Sequence, residues 1–253
     1  MIGPAIAGVV IAAFGSGWAF LANAVSFAAM IVALATLRVA QHDRQERATS
    51  PRSGFAEGLR HVRARRDQQV VLGMLFLVAT FGLNFPIYIA TMAVSVFHAG
   101  AHRYGLLTSL LAIGSVTGAL LSARREQPQL TVLITGAGVF GVGCAVAALM
   151  PDYWLFGATL VVVGAAAQTF MTTANSMIQL GTAAAMRGRV MAIYLAIAMG
   201  STPLGAPIVG WVADVAGARW ALAVGAAAGL GASLLGALYR RAPGLDQGRQ
   251  NEN

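Results

Sequence analysis

The stretch "IGPAIAGVVIAAFGSGWA" at 2–19 recurs 202 residues later as "LGAPIVGWVADVAGARWA" at 204–221. Gly3 falls on Gly205, Gly8 on Gly210, Gly15 on Gly217 and Trp18 on Trp220. The same gapless offset sets Arg38 on Arg240. Alanine matches carry little weight in so alanine-rich a chain; the glycine, tryptophan and arginine matches carry the repeat. Internal repetition is a common building plan of membrane transporters. The second copy closes a series of apolar segments, so the first copy reads as the close of another such series.

The composition sets the class. The chain of 253 residues is 57% hydrophobic and 10% charged, with a mean hydropathy of +0.70. Soluble domains carry about 25% charged residues. A chain this apolar cannot supply a water-facing surface, and it reads as an all-α, polytopic membrane protein. The period-2 alternation of a membrane barrel is absent, and lipid admits no third architecture. Two apolar segments cover 2–14 and 18–37, and a polar stretch covers 38–69. Six spans follow at 70–96, 104–123, 130–150, 154–180, 190–213 and 220–239. Each is near or above the ~20 residues a membrane helix needs.

All 17 basic residues are arginine, and the net charge is +8. Fifteen of them fall in 38–69, in alternate loops (Arg124, Arg125, Arg187, Arg189) and in the tail, whereas the opposite loops hold only Arg103 and Arg219. That asymmetry is the positive-inside signal, and it predicts that 38–69 and the C-terminus are cytoplasmic. The basic balance is thereby spent on orientation, and no nucleic-acid partner is expected. Within 54–66, Phe55, Leu59 and Val62 recur at helical spacing among arginines. This is a basic amphipathic helix, read as a linker between bundles in preference to a lipid sensor.

The repeat then organises the chain. Residues 1–37 are the end of one bundle, 38–69 a basic linker, 70–241 a complete six-helix bundle and 242–253 a disordered tail. Four further spans precede the second copy, and their counterparts would lie upstream of Met1. Both copies end in a cytoplasmic arginine, so they are parallel repeats.

Two parallel six-helix bundles joined by a long basic loop resemble the major facilitator superfamily. The chain is similar to the enterobactin-exporter-like branch of its efflux permeases. The resemblance rests on "EGLRHVRARRD" (57–67), "FGLNF" (81–85), "YGLL" (104–107), "ANSMIQL" (174–180), "RGRVMAIY" (187–194) and "TPLGAPIVGWVAD" (202–214). It implies that 2–14 is the remnant of helix 5, 18–37 is helix 6 and the six long spans are helices 7–12, with the first four helices lacking. It further implies export of a small molecule, a siderophore or a drug, by alternating access with proton antiport in a bacterial inner membrane. In that family a Gly-Pro motif on helix 5 marks antiporters, and it falls here on Gly3, Pro4 and Gly8. The implied partners are a substrate, protons, the bilayer and either the lacking helices or a second copy. The alternative expectation is a non-transporting membrane protein or a decayed gene product.

Polar groups at membrane depth are costly and are functional candidates by default. Asn84 and Tyr88 lie four apart on one face of the first long span, with Pro86 between them to kink it. They are expected to line a cavity, or else to bond between helices. Gln168, Thr172, Asn175 and Gln179 form a polar stripe at 4-3-4 spacing. Gln168, Thr172 and Asn175 are expected on the cavity, and Gln179 toward the cytoplasmic loop. Arg187 and Arg189 open the fifth long span and suggest a gate, with no acidic partner close in sequence. Asp214 near Arg219 suggests an outer ion pair or a helix-end role. The single Cys144 and the dense glycines read as helix packing. No nucleophile–base pair, metal motif or paired carboxylates lie within a span, so no enzyme, cofactor or metal is expected.

The topology predicts that a cysteine replacing Ser50 is labelled by an impermeant thiol reagent only after cells are opened. Labelling from outside intact cells would overturn it.

Overall fold

The computed structural model describes residues 16–36, 51–125 and 127–241. The segment carrying Gly3, Pro4 and Gly8 lies outside the described residues. The chain divides into two compact units, 1–48 and 49–253. The first contributes α1 (Ser16–Thr36), 21 residues of apolar character. It is hydrophobic on every side, as a lipid-immersed helix must be.

The second unit opens with α2 (Pro51–Ala64) and continues as six helical spans long and apolar enough to cross a membrane. They are Arg66–Val96, Ala101–Ala123, Leu130–Leu149, Tyr153–Leu180, Ala184–Ala216 and Ala218–Arg241. Within the first, α3 (Arg66–Leu77) and α4 (Phe85–Thr91) are each followed by a π-helical turn, Val78–Gly82 and Met92–Val96. The next three spans are α5 (Ala101–Ala123), α6 (Leu130–Leu149) and α7 (Tyr153–Leu180). The fifth span is two helices, α8 (Ala184–Gly200) and α9 (Thr202–Ala216), and the last is α10 (Ala218–Arg241).

Two local expectations are corrected. The segment 190–213 is not one continuous helix: α8 ends at Gly200 and α9 begins at Thr202. Ser201 joins them, and its hydroxyl donates to the Ile197 carbonyl. Pro203 follows two residues on, where a fixed φ and a missing N–H start a helix more readily than they continue one. Pro86, likewise, does not kink the interior of a helix. The break precedes it at Leu83–Asn84, and Pro86 occupies the first turn of α4.

Glycine decides how closely the helices pack. Side chains added at Gly114 and Gly118 of α5 would strike the backbone of α7 at Val161 and Ala165. One added at Gly164 of α7 would strike the Leu111 carbonyl of α5. Backbone-to-backbone approach of this kind is the small-residue packing of membrane helices. Gly229 of α10 meets Gly141 of α6 in the same way. The larger side chains fill what remains: Phe140, Phe156 and Phe170 are fully buried between the spans. Cys144 is buried in α6.

The two ends of the unit differ chemically. Trp154 opens α7, Trp220 opens α10 and Trp211 lies toward the end of α9, and all three are exposed at one end. Tryptophan gathers at membrane interfaces. The other end carries Arg124, Arg125, Arg187, Arg240 and Arg241, all exposed.

Gly205 and Gly210 lie on the same helix, α9. A methyl group at Gly205 would collide with the Thr80 carbonyl, while Gly210 faces open space. Gly205→Ala is therefore expected to destabilise the protein in detergent by about 1–3 kcal/mol. Gly210→Ala is expected to leave it unchanged or up to ~1 kcal/mol more stable. Equal thermal unfolding of the two variants would contradict this packing.

Candidate functional site

The first span is built around a gap in its own hydrogen bonding. Past Gly82 the ladder shifts to the π spacing, with Leu83 N–H donating to the Val78 carbonyl at 3.0 Å. Leu83 and Asn84 are not helical, and Pro86 brings no N–H. The carbonyls of Thr80 and Phe81 thus lose their usual helical donors, and in lipid no water replaces them. Two side chains do so. Asn84 Nδ2 donates to the Thr80 carbonyl at 2.8 Å, and the Tyr88 hydroxyl donates to the Phe81 carbonyl. Asn84 is 2% and Tyr88 1% exposed.

Neighbouring helices seat on this break. Gly205 of α9 lies against the Thr80 carbonyl, the Tyr88 ring lies over Gly225 of α10, and Gly82 faces the Phe140 ring. The structure therefore brings Asn84 and Tyr88 together, with their polar atoms turned to backbone. π-helical turns and chain breaks of this sort are where helices bend.

The polar stripe lies on α7, 28 residues and about 42 Å long at ~1.5 Å per residue. Gln168 Nε2 donates to Thr172 Oγ1 at 3.2 Å. Gln168, Thr172 and Asn175 are half-buried, and Gln179 is exposed. Helical periodicity places the stripe between two contacts. On one flank α7 meets α5, where Thr169 Oγ1 donates to the Gly118 carbonyl at 3.5 Å. On the other it meets α8, where the Tyr194 hydroxyl donates to the Met171 carbonyl at 3.4 Å. Thr172 also borders a polar cavity with Ser122, Arg125 and Ser176. Counted from the start of α7, Gln168 lies about 22 Å in and Gln179 about 39 Å in, beyond the ~30 Å hydrocarbon core.

At the arginine-rich end the two arginines separate. Arg187 is exposed. Arg189 Nη1 pairs with Glu57 Oε2 of α2 at 2.8 Å. An acidic partner therefore exists, brought from 132 positions away in sequence by the docking of α2. Val62 and Gly58 of α2 are buried, and Leu59 packs on the core of the unit. A side chain at Gly58 would come within 3.2 Å of Arg189 Cβ. Phe55 alone of the three expected apolar positions stays exposed.

The loop between α7 and α8 is braced from the foot of α3. Buried Gln68 donates to Thr182 Oγ1 at 3.0 Å and to the Gly181 carbonyl at 3.3 Å. Arg65 adds a bond to the same carbonyl at 3.5 Å. The sequence pattern marks neither residue: Glu57 lies off the apolar face set by Phe55, Leu59 and Val62, and Gln68 lies beyond that segment. Asp214 does not pair with Arg219. It is exposed, it joins neither salt bridge among the described residues, and Arg219 bonds the Met150 carbonyl at 3.5 Å.

The comparisons with known proteins agree with this architecture. A family profile described as transmembrane secretion effector (MFS_3) matches residues 1–252. The chain is similar to the multidrug efflux pump Tap of Mycobacterium tuberculosis (strain ATCC 25618 / H37Rv), 28% identical over 228 residues, which are 86% of this chain and 53% of the pump. The Tap pump of Mycolicibacterium fortuitum is 28% identical over 225 residues, covering 86% of this chain and 54% of that pump. The chain thus spans about half the length of the curated relatives it matches. No solved structure matches it.

Replacing Asn84 by Leu leaves the Thr80 carbonyl without a donor in a dry site. The expected loss is about 1–3 kcal/mol of stability in detergent, with Asn84→Gln recovering less than the wild type. A neutral Asn84→Leu variant would show that the break is held by other means.

Proposed function

The chain belongs to the transmembrane secretion effector family of major facilitator efflux permeases, and from that premise we propose that its second unit is one half of a drug exporter working by alternating access. The family is one of multi-pass membrane transporters and is not an enzyme class. The observation that carries the proposal is the stripe of Gln168, Thr172 and Asn175. It holds amide and hydroxyl groups at membrane depth, half-buried and without a fixed charge. Such a wall offers hydrogen bonds to many ligand shapes and charge to none, as a multidrug cavity requires.

Asn84 and Tyr88 serve this cavity from behind. By holding the break in the first span they set the direction of α4, and a helix joined through a π turn and two non-helical residues is suited to hinge motion. The Arg189–Glu57 pair, with Gln179 and Arg187 at the same end of the unit, forms the cytoplasmic end that closes and opens. The paired repeats at offset 202 support a working unit of two six-helix bundles, with the other half supplied by further chain or by a second copy. Proton antiport, with Gly3, Pro4 and Gly8 as the antiporter motif, is proposed on resemblance. So are an inner-membrane location, a cytoplasmic 38–69 linker and a siderophore-like or drug-like substrate.

Cysteine accessibility tests the stripe. Cys144 is buried, so background labelling is low. Cysteines replacing Gln168 or Thr172 are expected to react with small water-soluble thiol reagents in transport-competent membranes, more slowly when substrate is added. Complete protection in every state would exclude the stripe from the cavity.

A further inference from the structure

A groove runs along the outside of the second unit where α5, α6 and α7 meet. At its arginine-rich end is a cavity of about 100 Å³, where Arg125 faces the hydroxyl-bearing Ser122, Thr172, Thr173 and Ser176. Arg125 and Val132 also border the adjoining hollow of about 210 Å³ between α6 and α7. That hollow shares Thr135, Val139 and Val162 with the next, of about 480 Å³, which reaches Val146. The shared walls join the three into one trench. From Val132 to Val146 it covers about 21 Å of helix, against ~15 Å for the hydrocarbon of one leaflet.

The two parts of the trench differ in chemistry. Its head holds a guanidinium, several hydroxyls and the amides of Gln127 and Gln129. Ser122 Oγ is enclosed there without a hydrogen-bond partner. Neither salt bridge among the described residues involves Arg125. Its length is apolar, because the threonines along it turn their hydroxyls to backbone. Thr135 bonds the Val132 carbonyl at 3.2 Å, Thr159 the Phe156 carbonyl at 2.7 Å and Thr169 the Gly118 carbonyl at 3.5 Å. Val139, Val142 and Val162 are 48%, 53% and 51% exposed along it.

We propose that this trench is a binding site for an anionic phospholipid of the cytoplasmic leaflet. The phosphate sits against Arg125 and the hydroxyls of Ser122 and Ser176, and one acyl chain lies along the Val132–Val146 face of α6. Charge complementarity selects the head group, since a bidentate guanidinium is the natural partner of a phosphate. The apolar length selects an amphiphile over a free phosphate. A helix of a second copy would fill the trench and leave the guanidinium unused. The proposal rests on the unit spanning a membrane with its arginine-rich end cytoplasmic, and it stands whether or not the chain transports.

The test is lipid retention by the full chain. The protein is purified in detergent, stripped of lipid, offered equal amounts of phosphatidylglycerol and phosphatidylcholine of matched chains, and read by native mass spectrometry. The wild type is expected to retain phosphatidylglycerol about fivefold over phosphatidylcholine, the equivalent of ~1 kcal/mol for one basic residue at a membrane surface. Arg125→Gln is expected to abolish the preference. Arg124→Gln, next in sequence but outside the cavity, is expected to keep it. Val142→Trp, or Val139→Trp if the first is unstable by thermal melting, is expected to lower retention of both lipids. Excess glycerol 3-phosphate is expected to displace neither. Equal retention of the two lipids by the wild type, equal loss in Arg124→Gln, displacement by glycerol 3-phosphate, or full retention in both tryptophan variants would each overturn the site.

Discussion

A carbonyl in hydrocarbon has no water to turn to, and the second unit is arranged around two that lose their helical donors. At Thr80 and Phe81 the ladder of the first span lapses, and Asn84 and Tyr88 replace the lost backbone donors with side-chain ones. An unsatisfied group there would cost about 1–3 kcal/mol. The repair fixes where α4 points, and α9 and α10 seat their glycines on the repaired segment. The helix packing around the break and the hydrogen bonding within it are therefore one constraint. A break can persist at membrane depth only because it is enclosed by protein.

The rest of the bundle follows from how little side chain separates its helices. With no hydrophobic difference between lipid and leucine, close van der Waals contact drives association. Glycine at Gly114, Gly118, Gly164 and Gly229 brings backbones into that contact. The stripe on α7 survives as a polar surface because α5 and α8 take the two flanks of α7 and leave the angle between them. Close packing on two sides thus creates the half-buried polar wall on the third.

Much of this was legible in the sequence. Hydropathy and length gave the spans to within a few residues, because lipid sets both quantities directly. Arginine asymmetry marked one end of the unit as the basic end, and the glycine density announced close packing. What was not legible came from contacts between residues far apart. Nothing local ties Glu57 to Arg189, or Gln68 to Gly181 and Thr182; only the docking of α2 and α3 does so. The break at Leu83–Asn84 was misassigned to Pro86 because proline is the visible breaker, while the π turn before it has no sequence mark. The Ser201 joint escaped for a related reason. Hydropathy runs straight through it, and only the backbone records the change of direction.

The attachment of α2 has a mechanical meaning. Its buried Gly58 and Val62 and the Glu57–Arg189 pair fasten it to the foot of α8, and Gln68 ties the foot of α3 to the loop that leads into α8. A tension applied at Pro51 is therefore not dissipated in a slack tether. It arrives as torque at the base of α8, on the same helix that meets the polar stripe through Tyr194.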